Sequence, residues 1–248
     1  MKLSKGIQFF AGSTRTTYDL TNLNLAAGAY SITVKAKAEG YTDSDASNAV
    51  NYTAAAPIPT DSILFEGETS DFTLKATNKS WNGTVEYSTD KNTWNTWDGS
   101  EITSANKKLY LRGKNNTTFY SKKGAQFVLS ANAGCYGNIN ALLDYENPPT
   151  ALATSCYRSM FQGCTSLTIA PALPATTLAD RCYRSMFSDC TGLKISATQT
   201  GEYTTAWRIP STGEIAAEAT DWNTYMLNGT GGTFKGDPSI NTTYYIAG

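Results

Sequence analysis

Residues 156–164 read CYRSMFQGC and residues 182–190 read CYRSMFSDC. Cys156 and Cys182 stand 26 positions apart, and the likeness continues through Cys-Thr-x-Leu in both copies (Cys164 to Leu167, Cys190 to Leu193). A fixed period in the twenties marks a solenoid, in which each unit buries its apolar face only against its neighbours. No other feature of the chain restricts its fold so strongly.

Within one unit, Cys156, Met160 and Cys164 recur at i, i+4 and i+8 with Phe161 beside Met160, which predicts one apolar helical face. Leu167 and Ile169 follow at period two, then Ala172 and Leu173 between Pro171 and Pro174, a pattern that suits a short strand ended by proline. A short helix plus a short strand in each repeat is a leucine-rich-repeat coil. A third, degenerate copy lies at 221–227 (DWNTYML). Aligning Met226 with Met186 places Trp222 on Cys182, Leu227 on Phe187 and Thr230 on Cys190. Trp222 is expected to cap the last coil, and 137–144 (GNINALLD) to open the stack with Leu142 and Leu143 turned inward, because terminal units are atypical.

The phrases LTIAPALPATTLADRCYRSMF and GTGGTFKGDPSINTTYY resemble the BspA-like leucine-rich repeats of surface proteins from gut bacteria and their phages. The resemblance covers the C-terminal half, and it implies adhesion or recognition and not catalysis. Upstream, Leu25-x-x-Gly28-x-Tyr30-x-Ile32-x-Val34 alternates after a glycine turn, as a half-buried strand does. The wording SITVKAKAEGYTDSDASNAVNYT resembles bacterial immunoglobulin-like (fibronectin-type) modules of phage and bacterial surface proteins. Such sandwiches run to about 100 residues, so 1–55 correspond to a later half. Ile32, Val34 and Val50 then need a cover. The same segment of another copy, the adjoining β-domain or another virion or surface protein could supply it; inter-chain assembly is expected, making 1–55 an anchor, and a strand from 6–10 is the simpler alternative.

The expected fold class is mainly β: a partial Ig-like β-sandwich (1–55), a small β-domain (61–129) and a short capped leucine-rich-repeat α/β solenoid (130–248). A stiff Ala/Pro stretch at 54–60 separates the first two. In the second, 72–76, 84–90, 94–97, 107–113 and 125–130 are strand candidates, with Val85, Tyr87, Leu109, Leu111, Phe127 and Leu129 facing a core. Trp94 and Trp97 form either a sugar-stacking platform or a packed hairpin corner. Tyr203, Trp207 and Arg208, in the insertion 194–219, form either an exposed aromatic–Arg interface group or a β-flank closing the core.

The chain has 15 tyrosines, only 17% charged residues and a net charge of −1, an extracellular or virion composition without the basic footprint of a nucleic-acid partner. No apolar run approaches a membrane span. The opening MKLSKGIQFFAG is too short in apolar residues for a secretory leader, as expected either of a virion component released by lysis or of a chain whose leader has been removed. There are no histidines, which removes Ser-His-Asp, Cys-His and His-metal catalysis. Glu66, Glu68 and Asp71 read as solvated turn acids, Asp43, Ser44 and Asp45 as a polar turn or a weak cation site, and no phosphate-binding glycine pattern occurs, so no cofactor is expected. The five cysteines include no CxxC pair. Cys156 and Cys182, one coil apart at about 5 Å, are either buried free thiols or a disulfide. Together these features predict a non-enzymatic phage virion surface protein (head fibre, decoration protein or tail appendage) that meets a host-surface glycan or protein. The alternatives are a bacterial surface adhesin fragment and an accessory carbohydrate-binding module.

Overall fold

A computed structural model describes residues 28–32, 50–54, 60–120 and 126–247. The chain divides into two compact units, Met1–Pro57 and Ile58–Gly248. In the first, β1 (Gly28–Ile32) and β2 (Val50–Ala54) pair antiparallel, with Ile32 opposite Val50. Val34, residues 43–45 and the strand expected at 6–10 lie outside the described residues.

The second unit holds β3 (Ile63–Gly67), β4 (Thr73–Ala76), β5 (Thr84–Ser88), β6 (Asn95–Thr96), β7 (Ile102–Thr103), β8 (Lys108–Lys114), β9 (Phe127–Leu129), β10 (Ala133–Gly137), β11 (Leu167–Ile169), β12 (Ile195–Ser196), β13 (Tyr203–Arg208) and β14 (Thr243–Ala247). They form a six-stranded sheet in the order β11-β10-β3-β8-β5-β6 and two three-stranded sheets, β7-β4-β9 and β12-β14-β13. The chain is mainly β, as its composition implies. In β8 the inward residues Leu109 and Leu111 alternate with partly exposed ones, the period-two pattern of a strand with one wet face. Ile63, Phe65 and Val85 join them, and the β4 sheet closes the sandwich with Leu74, Phe127 and Leu129. Tyr87 is only partly buried and packs at the margin of this core.

The boundary expected at 129/130 does not separate two units. β10 lies inside the six-stranded sheet, antiparallel to β3 and parallel to β11 of the first repeat. The apolar core runs on without a break: Phe127 meets Trp97 edge-on at 5.4 Å and Phe161 at 5.6 Å.

The helix expected at 156–164 is absent. Two kinds of amide alternate along this stretch. Those of Cys156, Arg158, Met160, Gln162 and Cys164 donate to carbonyls three residues back; those of Ser155, Tyr157, Ser159, Phe161 and Gly163 donate to carbonyls of Asp180, Cys182, Arg184, Met186 and Ser188 in the next copy. The second copy repeats this toward 220–228, with Tyr183 donating to Trp222 and Phe187 to Met226, so the alignment that places Met226 on Met186 is the register of the backbone. Every fourth residue is left-handed: Ser155, Ser159 and Gly163; Arg181, Ser185 and Asp189; Asp221, Tyr225 and Gly229. A left-handed residue in each four breaks a right-handed helix. The apolar spacing of four therefore belongs to a chain of turns, which directs two residues inward and two outward per period (Cys156 and Tyr157 in, Arg158 and Ser159 half out).

Aromatic columns form as the turns stack. Phe119, Tyr157 and Tyr183 succeed one another at 6.1 and 6.0 Å with nearly parallel rings, and Phe161 lies 5.5 Å from Phe187. Trp222 meets Tyr183 edge-on, but it is itself buried, as are Met226 and Leu227. The loop after Thr230 brings Phe234 and Ile240 against the core, with Phe234 4.6 Å from Tyr244 of β14. At the other end Phe119 and Phe127 donate to the carbonyls of Cys156 and Met160, and Leu142 and Leu143 are buried in and after a 3-10 turn, Ile139–Leu142.

Candidate binding surfaces

Three predicted residues are buried. Trp97 is 1% exposed, stacks on Trp81 at 5.2 Å and donates its indole N–H to the Ser100 carbonyl at 2.8 Å. Trp207 is 6% exposed, meets Phe187 edge-on and donates to the Pro171 carbonyl at 3.2 Å; Tyr203 is buried with it. The insertion is thus a flank: β13 and β12 both pair with β14, and the Trp207 ring covers the side of the coils. Arg208 is occupied internally, donating to the carbonyls of Pro210 and Gly213 and to Glu214 at 2.6 Å. An exposed aromatic–Arg interface does not form here, because the rings were needed to close the core.

Trp94 stays half-exposed, on the outer face of the six-stranded sheet. Arg112, placed opposite Glu86 by the β5–β8 register, donates to its carboxylate at 2.7 Å. The guanidinium lies 4.0 Å from the Trp94 ring and 4.1 Å from the Tyr145 ring, filling the slot between them. Lys114 lies beside this stack, bonded to Glu146 and 3.7 Å from Asp144. The bond to Glu146 raises the lysine's pKa and lowers that of the glutamate. The charges of this face are largely paired with one another, so it is a rigid amphipathic patch and not a cleft.

A groove of about 520 Å³ opens where β10, β11, β13 and β14 approach, lined by Glu68, Tyr136, Thr168, Ile169, Thr205 and Ala247. Its residues come from five separated stretches of chain, so no sequence spacing announced it. Tyr136 is half-buried, and its phenol pKa is raised by desolvation and then by the charges of Glu66 and Glu68, which keeps the hydroxyl protonated as a donor.

All five cysteines are free and buried. Burial pushes the Cys182 thiol up to about 12 and raises Cys135, Cys156 and Cys190 strongly, which suppresses the thiolate on which reactivity depends. Cys190 spends its S–H on the Phe161 carbonyl at 2.8 Å, so these thiols pack as small apolar side chains with a local donor. Among the described residues no cluster of acids and cysteines has the geometry of a metal site, and no helix is long and apolar enough to cross a membrane. Comparison with family models, with curated proteins and with solved structures finds no match to this chain.

Proposed function

We propose that this chain is a non-enzymatic surface protein of a bacteriophage virion. In this reading the coils 155–230 are BspA-like leucine-rich repeats built from turns, and 1–55 is an Ig-like segment that attaches the chain to a virion neighbour or to another copy. Ile32, Val34 and Val50 are its contact residues. The observation that carries the reading is the packing of the second unit. One uninterrupted core fills the sandwich and the coils, and the side chains suited to recognition, such as Trp94 and Tyr145, stand on the outside. A body with one continuous core and such side chains on its outer faces suits a display protein.

The reading is tested by immunogold labelling of intact particles purified from the lysate of a phage that encodes the chain. Gold on capsid or tail is the expected result. Labelling confined to bacterial envelopes, or a gene lying only beside a carbohydrate-active enzyme, overturns it in favour of an adhesin or an accessory module.

A further inference from the structure

We propose that the groove bounded by Tyr136 is a binding site for a neutral hexopyranose unit of a surface glycan. The inference rests on reading the chain as a recognition protein, and it supplies the ligand class. Gly134 and Tyr136 lie two apart on β10 and so share the outer face. A Cβ built on Gly134 would stand 2.7 Å from both Cε2 and Oη of Tyr136, so the phenol ring lies back along its own strand over the glycine. The ring thus covers Gly134 on the outer face and also lines the groove, and any side chain at Gly134 would collide with it. Gly134 is the residue that permits this posture.

The remaining lining matches the other faces of a sugar. Glu68 offers carboxylate oxygens to ring hydroxyls, and Thr168 and Thr205 offer hydroxyls that both donate and accept. Ile169 and Ala247 give an apolar rim for C–H groups. An amphipathic ring with a few convergent polar groups is what a small-ligand site requires, and 520 Å³ lies within the usual range of roughly 300–1,000 Å³. The charge in the lining is negative, so sialic and uronic acids are disfavoured. The Trp94 stack is the weaker candidate, because Arg112 already fills the space between its rings.

The test is saturation-transfer NMR and calorimetry on the full chain with cellotetraose, mannotetraose, a β-galactan tetrasaccharide and sialyllactose. At least one neutral probe is expected to bind, and Tyr136→Ala to weaken it by about tenfold or more. Gly134→Ala retains every polar group but displaces the ring, and is expected to weaken it comparably; Thr205→Val, at an exposed position, lowers affinity without touching the core. The proposal is overturned if no neutral probe binds at about 10 mM, if Tyr136→Ala and Thr205→Val both bind as the parent does, or if sialyllactose is preferred. Particle labelling does not depend on sugar binding, so a virion location that survives a failed titration sinks the groove alone.

Discussion

In β8 every second residue is buried, whereas in the first coil burial comes in pairs, Cys156 with Tyr157 and Met160 with Phe161, separated by pairs of half-exposed residues. Both regions join neighbouring segments by backbone hydrogen bonds across a layer. A strand of a sheet alternates its faces residue by residue and spends its polar groups sideways on both neighbours. The turn chain spends half its amides locally and half on the next layer, and needs a left-handed residue in every four to do so. The difference shows that an apolar spacing of four does not by itself mean a helix. The residue preceding each inward pair decides, and here it is Ser155, Ser159, Arg181 or Ser185 with positive φ.

The most forceful way to break this comparison is to cut where the two regions join. Phe127 touches Phe65 and Trp97 on the sandwich side and Phe161 on the coil side. Phe127→Ala is expected to cost about 3–5 kcal/mol, as is Phe187→Ala deep in the coils. Urea melts followed by far-ultraviolet circular dichroism and by tryptophan fluorescence should still coincide for Phe187→Ala. If the two probes separate there, the coils and the sandwich are independent units and the shared core is not cooperative.

A smaller effect sharpens the comparison between successive layers. Tyr157 donates its hydroxyl toward the Ile139 carbonyl and Asn140 at 3.1 Å, while the buried hydroxyl of Tyr183, one layer on, has no partner among the described residues. Tyr157→Phe should cost about 1 kcal/mol, and Tyr183→Phe should be neutral or stabilising, because an unpaired buried hydroxyl is removed. Equal losses in thermal melts would mean that both hydroxyls are satisfied.

The smallest effect bears on the turns themselves. Ser185→Gly should raise stability by a few tenths of a kcal/mol to about 1 kcal/mol, since glycine adopts positive φ without a Cβ penalty, and Gly163→Ala should lower it by about as much. In a helix both signs would reverse. Chemical denaturation of the two variants therefore distinguishes turn chain from helix by sign alone.

The strands β4, β5, β8 and β9 were legible because one buried face imposes alternation on the sequence. β10 was not: Ala-Gly-Cys-Tyr-Gly has weak strand preference, and its place is fixed by Phe65 on β3 and by the first coil on its other side. The repeat gave the register of the layers correctly, but i, i+4 spacing matches both a helix and a four-residue turn, so the local conformation was misread. Trp94 and Trp97 looked like a pair. Three positions apart on extended chain, they point to opposite faces, and only one could remain outside. The groove could not be read at all, though Gly134-x-Tyr136 was its one local signal.

The hydrogen bonds between coils have a direction. In the turn stretches 155–163 and 181–189 the amides that leave a layer all point toward the layer that follows, and the caps at Phe119 and Phe127 point the same way. Peptide dipoles that alternate and cancel in an antiparallel sheet add here along the stacking axis, as they do along a helix. The pile of turns is thus vectorial, electropositive toward the 221–229 layer, where Asp221 stands 3.8 Å from Arg181 and 3.9 Å from Arg184. Its two ends are chemically unlike, and a further layer could be laid on the far end only by offering carbonyl oxygens.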